Sequence, residues 1–420
     1  MDKFIIHGGN KLSGEIRISG AKNASLALMP AALLGESPSV LRNTPDLRDT
    51  ATMLQLLRSM GATCSRDAET VSIDPARIHT LGAPYQLVKK MRASFYVLGP
   101  LVARYGKARV SYPGGCAWGP RPVNLHIEGI RKLGARIDLQ EGYIVAEARR
   151  LHGAEITFDV SSVGATGNVL MAATLAKGET VINNAAKEPE IQHLAHFLVH
   201  MGAEIEGIGT STLHIQGKDS LHGTDDDNIP DRIEAGTFLV AAAVTGSSIT
   251  LTNVRSAHLA ALITKLEDTG ASIQSHDDTI SITTPARPEP VSVTTAIYPG
   301  FPTDMQAQWI ALMCLAGGTS TVTDTIYHDR FSHVPELQRL GARISLGENT
   351  AVVNGVEYLT GAKVMSTDLR ASASLILAGL AARGTTEVLR VYHIDRGYES
   401  IEKKLQTLGA DIVRVSGKEY

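Results

Sequence analysis

Cysteine, aromatic residues and long apolar runs are scarce in this chain of 420 residues. Its three cysteines are odd in number and far apart, which excludes a dense disulfide framework and favours a reducing, cytoplasmic setting. No uninterrupted apolar stretch reaches the roughly 18 residues of a membrane span, and Met1-Asp2-Lys3 does not begin a signal-peptide pattern. We therefore predict a cytoplasmic α/β protein with no membrane partner.

The charge balance and the missing motifs exclude further classes. A net charge of −3 argues against a general nucleic-acid-binding surface. The fourteen histidines are scattered, no Cys/His spacing indicates zinc, and the sequence has neither a Walker loop nor a dinucleotide fingerprint. We expect no metal and no cofactor, and no obligate protein partner is evident.

The chain does contain a sixfold repeat, in which a hydrophobic helix tail closes on Gly-Ala before a strand. The glycines are 73, 68, 68, 71 and 68 residues apart, so the chain consists of six units of about 70 residues. A glycine at this place supplies the left-handed residue that ends a helix, and alternating residues after it indicate a strand. The six are Gly61, Gly134, Gly202, Gly270, Gly341 and Gly409.

A second, offset set of glycines ends helices of another kind. These helices are apolar nearly all round, as in residues 26–34 and 169–175, and such helices are buried. The Gly-Ala helices are amphipathic instead, so each unit has one inner helix, one outer helix and strands between them. The offset glycines are Gly35, Gly106, Gly178, Gly246, Gly318 and Gly384.

Six units divide most naturally as three plus three, because single cores stop growing near roughly 250–300 residues. The most linker-like stretch, GTDDDNIP (223–230), falls between the third and fourth units. The sequence therefore predicts two similar α/β domains, each of three repeated units around buried inner helices.

The inner helices begin with polar or charged residues. Serine, threonine and aspartate are ordinary N-caps, but Lys22, Arg92 and Arg370 are cations where the helix dipole is positive. Three such residues at equivalent repeat positions favour a polyanionic ligand, because helix N-termini also bind anions.

A loop rich in glycine and proline surrounds Cys116 and is followed by Arg121. A thiol near a guanidinium can hold a lowered pKa or act as an acid, although a passive loop cysteine is an equally good interpretation of this stretch alone. His126 lies ten residues away and suits capping or packing as well as catalysis, so a cysteine hydrolase is weakly supported. Cys64 and Cys314 are predicted to be small core residues.

Eight motifs resemble those of an enolpyruvyl transferase family, the UDP-N-acetylglucosamine 1-carboxyvinyltransferases, over essentially the whole chain. They are SGAKNA (19–24), MRAS (91–94), GGCA (114–117), RPV (121–123), SVGAT (162–166), YPGFPTDMQ (298–306), DLRAS (368–372) and DRGY (395–398). One of them would be weak support, but all of them in order are highly specific.

The resemblance implies a fold of two inside-out α/β domains, because inner helices surrounded by sheets and outer helices are typical of this family. The chain would cross between the domains twice. One discontinuous domain would comprise residues 1–21 and 230–420, and the second, 22–229, would carry the Cys116 loop. The active site would lie in the cleft between the domains.

The resemblance also implies a reaction, in which phosphoenolpyruvate gives its enolpyruvyl group to the 3-hydroxyl of UDP-N-acetylglucosamine. Cys116 would protonate C3, could also form a covalent adduct, and would be the target of fosfomycin-type epoxides. Asp304 would be the base that faces the sugar hydroxyl. Lys22, Arg121 and Arg396 would hold the phosphate and carboxylate of phosphoenolpyruvate.

Further residues are assigned to substrate binding by the same resemblance. They are Asn23, Arg92, Arg121, Pro122, Val123, Asn124, Leu125, Ser162, Val163, Gly164, Glu188, Asp304, Ile326, Asp368 and Arg370, in addition to Lys22 and Arg396. Asn124 replaces an aspartate common in the family, and Val160 replaces a lysine of some relatives. The nearest alternative is a shikimate-pathway enolpyruvyl transferase, and a rival of another class is a repeat protein that only binds a nucleotide.

Overall fold

The structure, a computed structural model, describes residues 2–112, 123–327 and 329–416. The chain divides into two compact units. One combines Met1–Ser19 with Pro230–Tyr420, and the other is Gly20–Ile229. We call them the discontinuous unit and the continuous unit.

The continuous unit has three four-stranded sheets of one design. In each, a short edge strand runs parallel to the strand that follows an inner helix, and two antiparallel strands complete the sheet. In sheet order the strands are Asp225–Asp227, Ser39–Arg42, Thr70–Asp74 and Thr63–Asp67; Gly82–Ala83, Lys107–Ser111, Tyr143–Glu147 and Arg136–Gln140; and Glu155–Thr157, Glu179–Asn183, Thr212–Gln216 and Glu204–Glu206.

The discontinuous unit repeats this design three times. Its strands, in sheet order, are Glu15–Arg17, Ser248–Thr252, Thr279–Thr283 and Ser272–His276; Val293–Thr294, Thr319–Thr323, Thr350–Asn354 and Arg343–Leu346; and Lys363–Met365, Thr385–Leu389, Asp2–His7 and Asp411–Ser416. In the last sheet the strand Asp2–His7 is central, with Ile5 opposite Glu387 on one side and Val413 on the other.

The inner helices are buried, as their all-round apolar sequences predict. Every residue from Ala165 to Ala173 is buried in the third of them. The six are Lys22–Ala31, Leu98–Tyr105, Val163–Ala173, Arg232–Thr245, Gln306–Met313 and Leu369–Ala381. Short 3-10 segments extend three of these helices, namely Ala32–Leu34 after the first, Arg92–Val97 before the second and Thr303–Met305 before the fifth.

The outer helices are amphipathic and end where the repeat predicts. They are Arg48–Met60, Asn124–Lys132, Pro189–His200, Ala260–Asp268, Val334–Arg339 and Ile401–Thr407, with the additional short helix Tyr85–Val88 and the 3-10 segments Ser256–Leu259 and Val391–Arg396. All six Gly-Ala glycines have φ between 91° and 108°, the left-handed conformation that only glycine adopts without strain.

The offset glycines do not share one conformation. Gly106, Gly178, Gly246 and Gly384 have positive φ, whereas Gly35 has φ −79°. The difference arises because the first inner helix ends in the 3-10 turn Ala32–Leu34, in which the Gly35 N–H bonds the Ala32 carbonyl. A tightened last turn satisfies the terminal carbonyls without a left-handed residue.

Each unit buries a hydrophobic core of its own between inner helices and sheets. Trp309 is fully buried in the discontinuous unit and donates its indole N–H to the Val291 carbonyl at 3.0 Å. Within the described ranges, no helix is long and apolar enough to cross a membrane. The prediction of an α/β protein with six repeated units is confirmed.

Candidate active site

The predicted catalytic thiol lies outside the residues that the structure describes. Cys116, Arg121 and Pro122 all fall in the segment 113–122, which separates two described ranges. The remaining predicted site residues belong to one unit or the other, and each group is described within its own unit.

Lys22 is the first residue of an inner helix of the continuous unit and is only 9% exposed. Its Nζ lies 2.8 Å from Oδ2 of Asp49, which is buried in the first turn of the outer helix Arg48–Met60. Sequence reasoning missed Asp49 as a partner. The positive charge of Lys22 is unfavourable at the start of its own helix, but it is neutralised by Asp49. The negative charge of Asp49 is favourable at the start of the helix Arg48–Met60. The neighbouring Asn23 is exposed.

The segment before Lys22 is held by two asparagines. Asn228 Nδ2 donates to the Ala21 carbonyl at 3.0 Å and to Ser25 Oγ at 2.8 Å, and Asn43 Nδ2 donates to the Asn228 carbonyl at 2.9 Å. A Cβ atom at Gly20 would lie 1.6 Å from the Asn43 carbonyl oxygen. The close backbone approach explains a glycine two residues before the predicted substrate-binding lysine.

The motif SVGAT forms the start of the third inner helix. Ser162 is the N-cap, and its Oγ accepts from the Ala165 N–H at 3.3 Å, so the ordinary capping interpretation holds here. Val163 and Gly164 occupy the first turn and are half-buried. The positive end of an 11-residue helix favours an anion close to these residues.

A buried histidine, His126, lies beside this helix start. Its Nδ1 is 3.1 Å from Asn168 Nδ2, whose amide also donates to the Phe95 carbonyl at 2.9 Å. Because the amide nitrogen only donates, Nδ1 of His126 accepts and its proton is on Nε2. A Cβ atom at Gly164 would lie 3.0 Å from that Nε2.

Burial and, to a smaller extent, the nearby Arg92 guanidinium together lower the pKa of His126 to about 3. The imidazole is therefore neutral at neutral pH and donates from Nε2. Sequence reasoning did not assign this role, although the single amide of Asn168 in an apolar helix was a signal that a buried partner exists.

The remaining predicted residues of the continuous unit lie near the start of the helix Val163–Ala173 or at the start of the helix Asn124–Lys132. Burial raises the pKa of Tyr96, and the nearby carboxylate of Glu188 raises it too. The Tyr96 hydroxyl donates to the Val163 carbonyl at 3.4 Å. The structure thus brings together Arg92, Val163, Gly164 and Glu188.

Three further predicted residues lie at the start of the helix Asn124–Lys132. Of these, Val123 is buried, Asn124 is exposed and Leu125 is half-buried.

Asp304 is the centre of the predicted site in the discontinuous unit. Its Oδ2 lies 2.6 Å from an Arg370 nitrogen and its Oδ1 lies 2.8 Å from an Arg330 nitrogen. Burial alone would raise the pKa of Asp304, but the charges and hydrogen bonds of the two arginines outweigh it and hold the pKa well below its ordinary range. Asp304 is therefore ionised, and sequence reasoning missed Arg330.

Two other aspartates organise the surroundings of Asp304. Asp324 accepts from Thr303 Oγ1 at 2.7 Å and from the Ile326 N–H at 2.9 Å, which ties the predicted contact Ile326 to the residue before Asp304. Asp368 caps the helix Leu369–Ala381 by accepting the Arg370 N–H at 2.8 Å. Arg396 is half-buried at the end of the 3-10 segment Val391–Arg396.

The arrangement in this unit fixes an ionised carboxylate between two guanidinium groups. Asp304 has a 27% exposed side chain, so one face of a carboxylate that is otherwise surrounded by guanidinium groups is accessible. Arginine pairs of this kind fix a carboxylate more firmly than lysine does, because the planar group donates from a rigid fork.

Comparisons with known proteins identify the family of the chain. A family model described as EPSP synthase (3-phosphoshikimate 1-carboxyvinyltransferase) matches residues 6–405. The UDP-N-acetylglucosamine 1-carboxyvinyltransferase of Chloroherpeton thalassium is 58% identical, over 100% of this chain and 99% of the relative. The enzymes of that name from Chlorobium luteolum and Geobacter metallireducens are 56% and 54% identical, and each is covered completely.

Solved structures show the same fold. The enolpyruvyl transferase NikO from Streptomyces tendae superposes with a TM-score of 0.90 at 28% identity, with 99% of each chain covered. An EPSP synthase from Acinetobacter baumannii has a TM-score of 0.77 at 18% identity, over 99% of this chain and 100% of that one, which shows the fold alone. The chain belongs to the enolpyruvyl transferase family, and its high-identity relatives are UDP-N-acetylglucosamine 1-carboxyvinyltransferases.

Proposed function

We propose that this protein transfers the enolpyruvyl group of phosphoenolpyruvate to the 3-hydroxyl of UDP-N-acetylglucosamine and releases phosphate, in the cytoplasm, as the first committed step of peptidoglycan synthesis. The full-length identity of 58% to a relative of that name carries the proposal. The pairing of Asp304 with Arg330 and Arg370 supports it, because the proposed base is held in a defined place and charge state.

The proposed reaction is an addition followed by an elimination. The sugar hydroxyl oxygen bonds to C2 of phosphoenolpyruvate while its proton passes to Asp304, and Cys116 gives a proton to C3. Phosphate then leaves from C2 of the tetrahedral intermediate, and loss of a proton from C3 restores the double bond.

The low pKa of Asp304 is compatible with a proton acceptor in this scheme. A free hydroxyl is far too weak an acid to protonate such a carboxylate, but the oxygen becomes strongly acidic as its bond to C2 forms. Asp304 would therefore take the proton late, when the new bond is nearly complete. The two arginines keep the carboxylate ionised until that moment.

The proposed substrate contacts come from both units. In the continuous unit, Lys22 and Arg121 would bind phosphoenolpyruvate, with Arg396 of the discontinuous unit. The nucleotide sugar would contact the remaining residues that the family resemblance assigns to it. These are Asn23, Arg92, Pro122, Val123, Asn124, Leu125, Ser162, Val163, Gly164, Glu188 and Ile326, together with Arg121 and Asp304. Asp368 and Arg370 would organise the active-site cleft.

The proposal is tested by measuring phosphate release from phosphoenolpyruvate with either UDP-N-acetylglucosamine or shikimate 3-phosphate as acceptor. We expect turnover with the nucleotide sugar and none with the shikimate compound. The reverse result would indicate the shikimate-pathway reaction. No release with either acceptor, together with intact nucleotide-sugar binding, would favour the protein that only binds a nucleotide.

Matched variants separate the proposed chemistry from folding. Asp304→Asn and Cys116→Ala should each lower turnover by at least about 100-fold, the scale of a lost acid or base. Cys64→Ala, at a half-buried cysteine of the strand Thr63–Asp67, should leave turnover unchanged. Equal turnover in all three variants would contradict the assigned roles.

A further inference from the structure

A buried polar cluster lies beneath Arg370 in the discontinuous unit. Thr237, Gln308 and Tyr398 are each no more than 1% exposed. Thr237 belongs to Arg232–Thr245, Gln308 to Gln306–Met313, and Tyr398 follows the 3-10 segment Val391–Arg396. With Arg370 in Leu369–Ala381, each inner helix of this unit gives one member to the cluster.

The hydrogen bonds in this cluster have a definite direction. Thr237 Oγ1 lies 2.8 Å from both the Ile233 carbonyl oxygen and the Tyr398 hydroxyl. Because a carbonyl oxygen only accepts, Thr237 donates to Ile233 and accepts from Tyr398. Burial raises the pKa of Tyr398, so the phenol keeps the proton that this bond requires.

The oxygen of Tyr398 is thereby left to accept. Arg370 Nη1 and Gln308 Nε2 each lie 3.3 Å from this oxygen and donate to it. The same Gln308 amide donates to the Asp304 backbone carbonyl at 3.0 Å. From the core side, the Tyr398 phenol therefore contacts Arg370 and the Gln308 amide contacts the backbone of Asp304.

We infer that Tyr398 and Gln308 are positioning residues for the reaction: Tyr398 fixes the rotation of the Arg370 guanidinium, and Gln308 fixes the backbone of Asp304. A guanidinium with its Nη1 engaged by the phenol presents Nη2 to the Asp304 carboxylate, at the observed 2.6 Å. Neither residue reaches the exposed face of Asp304 in this arrangement, so both act through the ion pair. This inference rests on the proposed function for its kinetic readout.

The charged groups around the pair determine what a loosened Arg370 would do. Arg330 faces Asp304 from the other side, Asp231 acts on both Arg370 and Tyr398, and the buried His333 lies near Arg330. Burial lowers the pKa of His333 to about 3, so it adds no charge at neutral pH. Weaker contact with Arg370 leaves Arg330 as the main partner and lets burial raise the pKa of Asp304.

The experiment compares Tyr398→Phe with Tyr358→Phe in the full-length protein. Tyr358 is 43% exposed, and its ring lies 3.8 Å from Arg383 Cζ, so it also pairs with an arginine but outside the cluster. Phosphate release is measured at pH 7.5 over a range of phosphoenolpyruvate concentrations with saturating UDP-N-acetylglucosamine. For Tyr398→Phe we expect a kcat about tenfold lower, the scale of a lost hydrogen bond to a charged group, with the KM for phosphoenolpyruvate unchanged.

A second pair of variants keeps the test sound if Tyr398→Phe folds poorly. Thr237→Val removes the acceptor that orients the Tyr398 hydroxyl, whereas Thr237→Ser retains it. We expect Thr237→Val to reproduce the lower kcat at unchanged KM for phosphoenolpyruvate, and Thr237→Ser to restore the wild-type kcat. A merely structural role would lower the amount of folded protein without lowering the kcat per folded molecule.

Crystal structures of the variants give a readout that does not depend on turnover. In Tyr398→Phe the Arg370 guanidinium should rotate, and its distance to Asp304 Oδ2 should lengthen. Wild-type kinetics together with an unmoved Arg370 would overturn the inference. An inactive wild-type protein would instead overturn the proposed function, and the rotation of Arg370 would then decide the positioning role alone.

Discussion

Lys404 Nζ lies 2.7 Å from Glu234 Oε1, which joins two residues 170 positions apart in the discontinuous unit. The other Glu234 oxygen accepts the Ser19 N–H at 2.6 Å, and Lys404 also donates to Ser19 Oγ at 2.7 Å. Burial raises the pKa of Glu234, and the charge of Lys404 opposes this rise. A buried ion pair thus holds Ser19, the residue after which the chain enters the other unit.

Replacing Lys404 by Met should destabilise the protein strongly. The change leaves the Glu234 carboxylate buried without its cation, which costs about 3 kcal/mol. Urea denaturation at pH 7.5 measures the loss, with Lys403→Met at the exposed neighbouring position as the control. The double variant Glu234→Gln/Lys404→Met should recover much of the stability, and a Lys404→Met variant as stable as the control would contradict this account.

His126 should make the protein less stable in mild acid. Its pKa is about 3 in the folded protein against an ordinary 6.5, so the unfolded chain takes up the proton first as the pH falls. The stabilisation is complete above about pH 6.5 and is lost progressively below it, by about 2.7 kcal/mol at pH 4.5.

His126→Gln should remove that part of the pH dependence. The unfolding free energy of this variant should fall less between pH 7 and pH 4.5 than that of wild type, whereas His152→Gln, at an exposed position of the same unit, should behave as wild type. Identical pH slopes for wild type and His126→Gln would show that His126 is not held neutral.

Two of the three cysteines should be unreactive in the native protein. Burial raises the pKa of Cys64 to about 11, despite the opposing charge of Arg58, and the pKa of Cys314 to about 12. Since the thiolate is the reactive form, neither should be alkylated at pH 7.5. Intact mass after iodoacetamide treatment should show one adduct, absent in Cys116→Ala, and three in urea. A native adduct on Cys64 or Cys314 would contradict this.

Gly20→Ala should disrupt the segment that carries Lys22. The new methyl group would lie 1.6 Å from the Asn43 carbonyl oxygen, and backbone must move to admit it. We expect a loss of about 3 kcal/mol or more and a reduced yield of folded protein. Gly317→Ala, where the nearest atom is 3.9 Å away, is the matched control and should be tolerated. Equal stability of the two variants would refute the steric explanation.

Local features of the fold could be predicted from the sequence, and long-range pairings could not. Gly61 and Gly409 end helices because the left-handed conformation is a local property of glycine, and the repeat made the pattern visible. The central place of Asp2–His7 between Thr385–Leu389 and Asp411–Ser416 depends on partners nearly a chain length away. Only the family resemblance indicated that the first strands belong with the C-terminal half.

The candidate site shows the same limit. Lys22 and Arg370 were recognisable as cations that oppose a helix dipole, and this local signal led to the prediction of an anionic ligand. Their partners within the chain, Asp49 and Asp304, come from other helices and leave no pattern of spacing in the sequence. Arg330 was missed for the same reason. The catalytic and binding roles of all these residues stay predictions, and Cys116 and Arg121 also lie outside the described residues.

The position of Asp2–His7 has a consequence for how the protein is made. On the ribosome this strand emerges before residues 20–229, yet both of its neighbours, Thr385–Leu389 and Asp411–Ser416, are translated after them. Residues 20–229 contain every strand of their own three sheets, so that half can condense while synthesis continues. The strand Asp2–His7 lacks its native partners meanwhile, and an exposed strand edge favours non-native pairing until both partners have been translated.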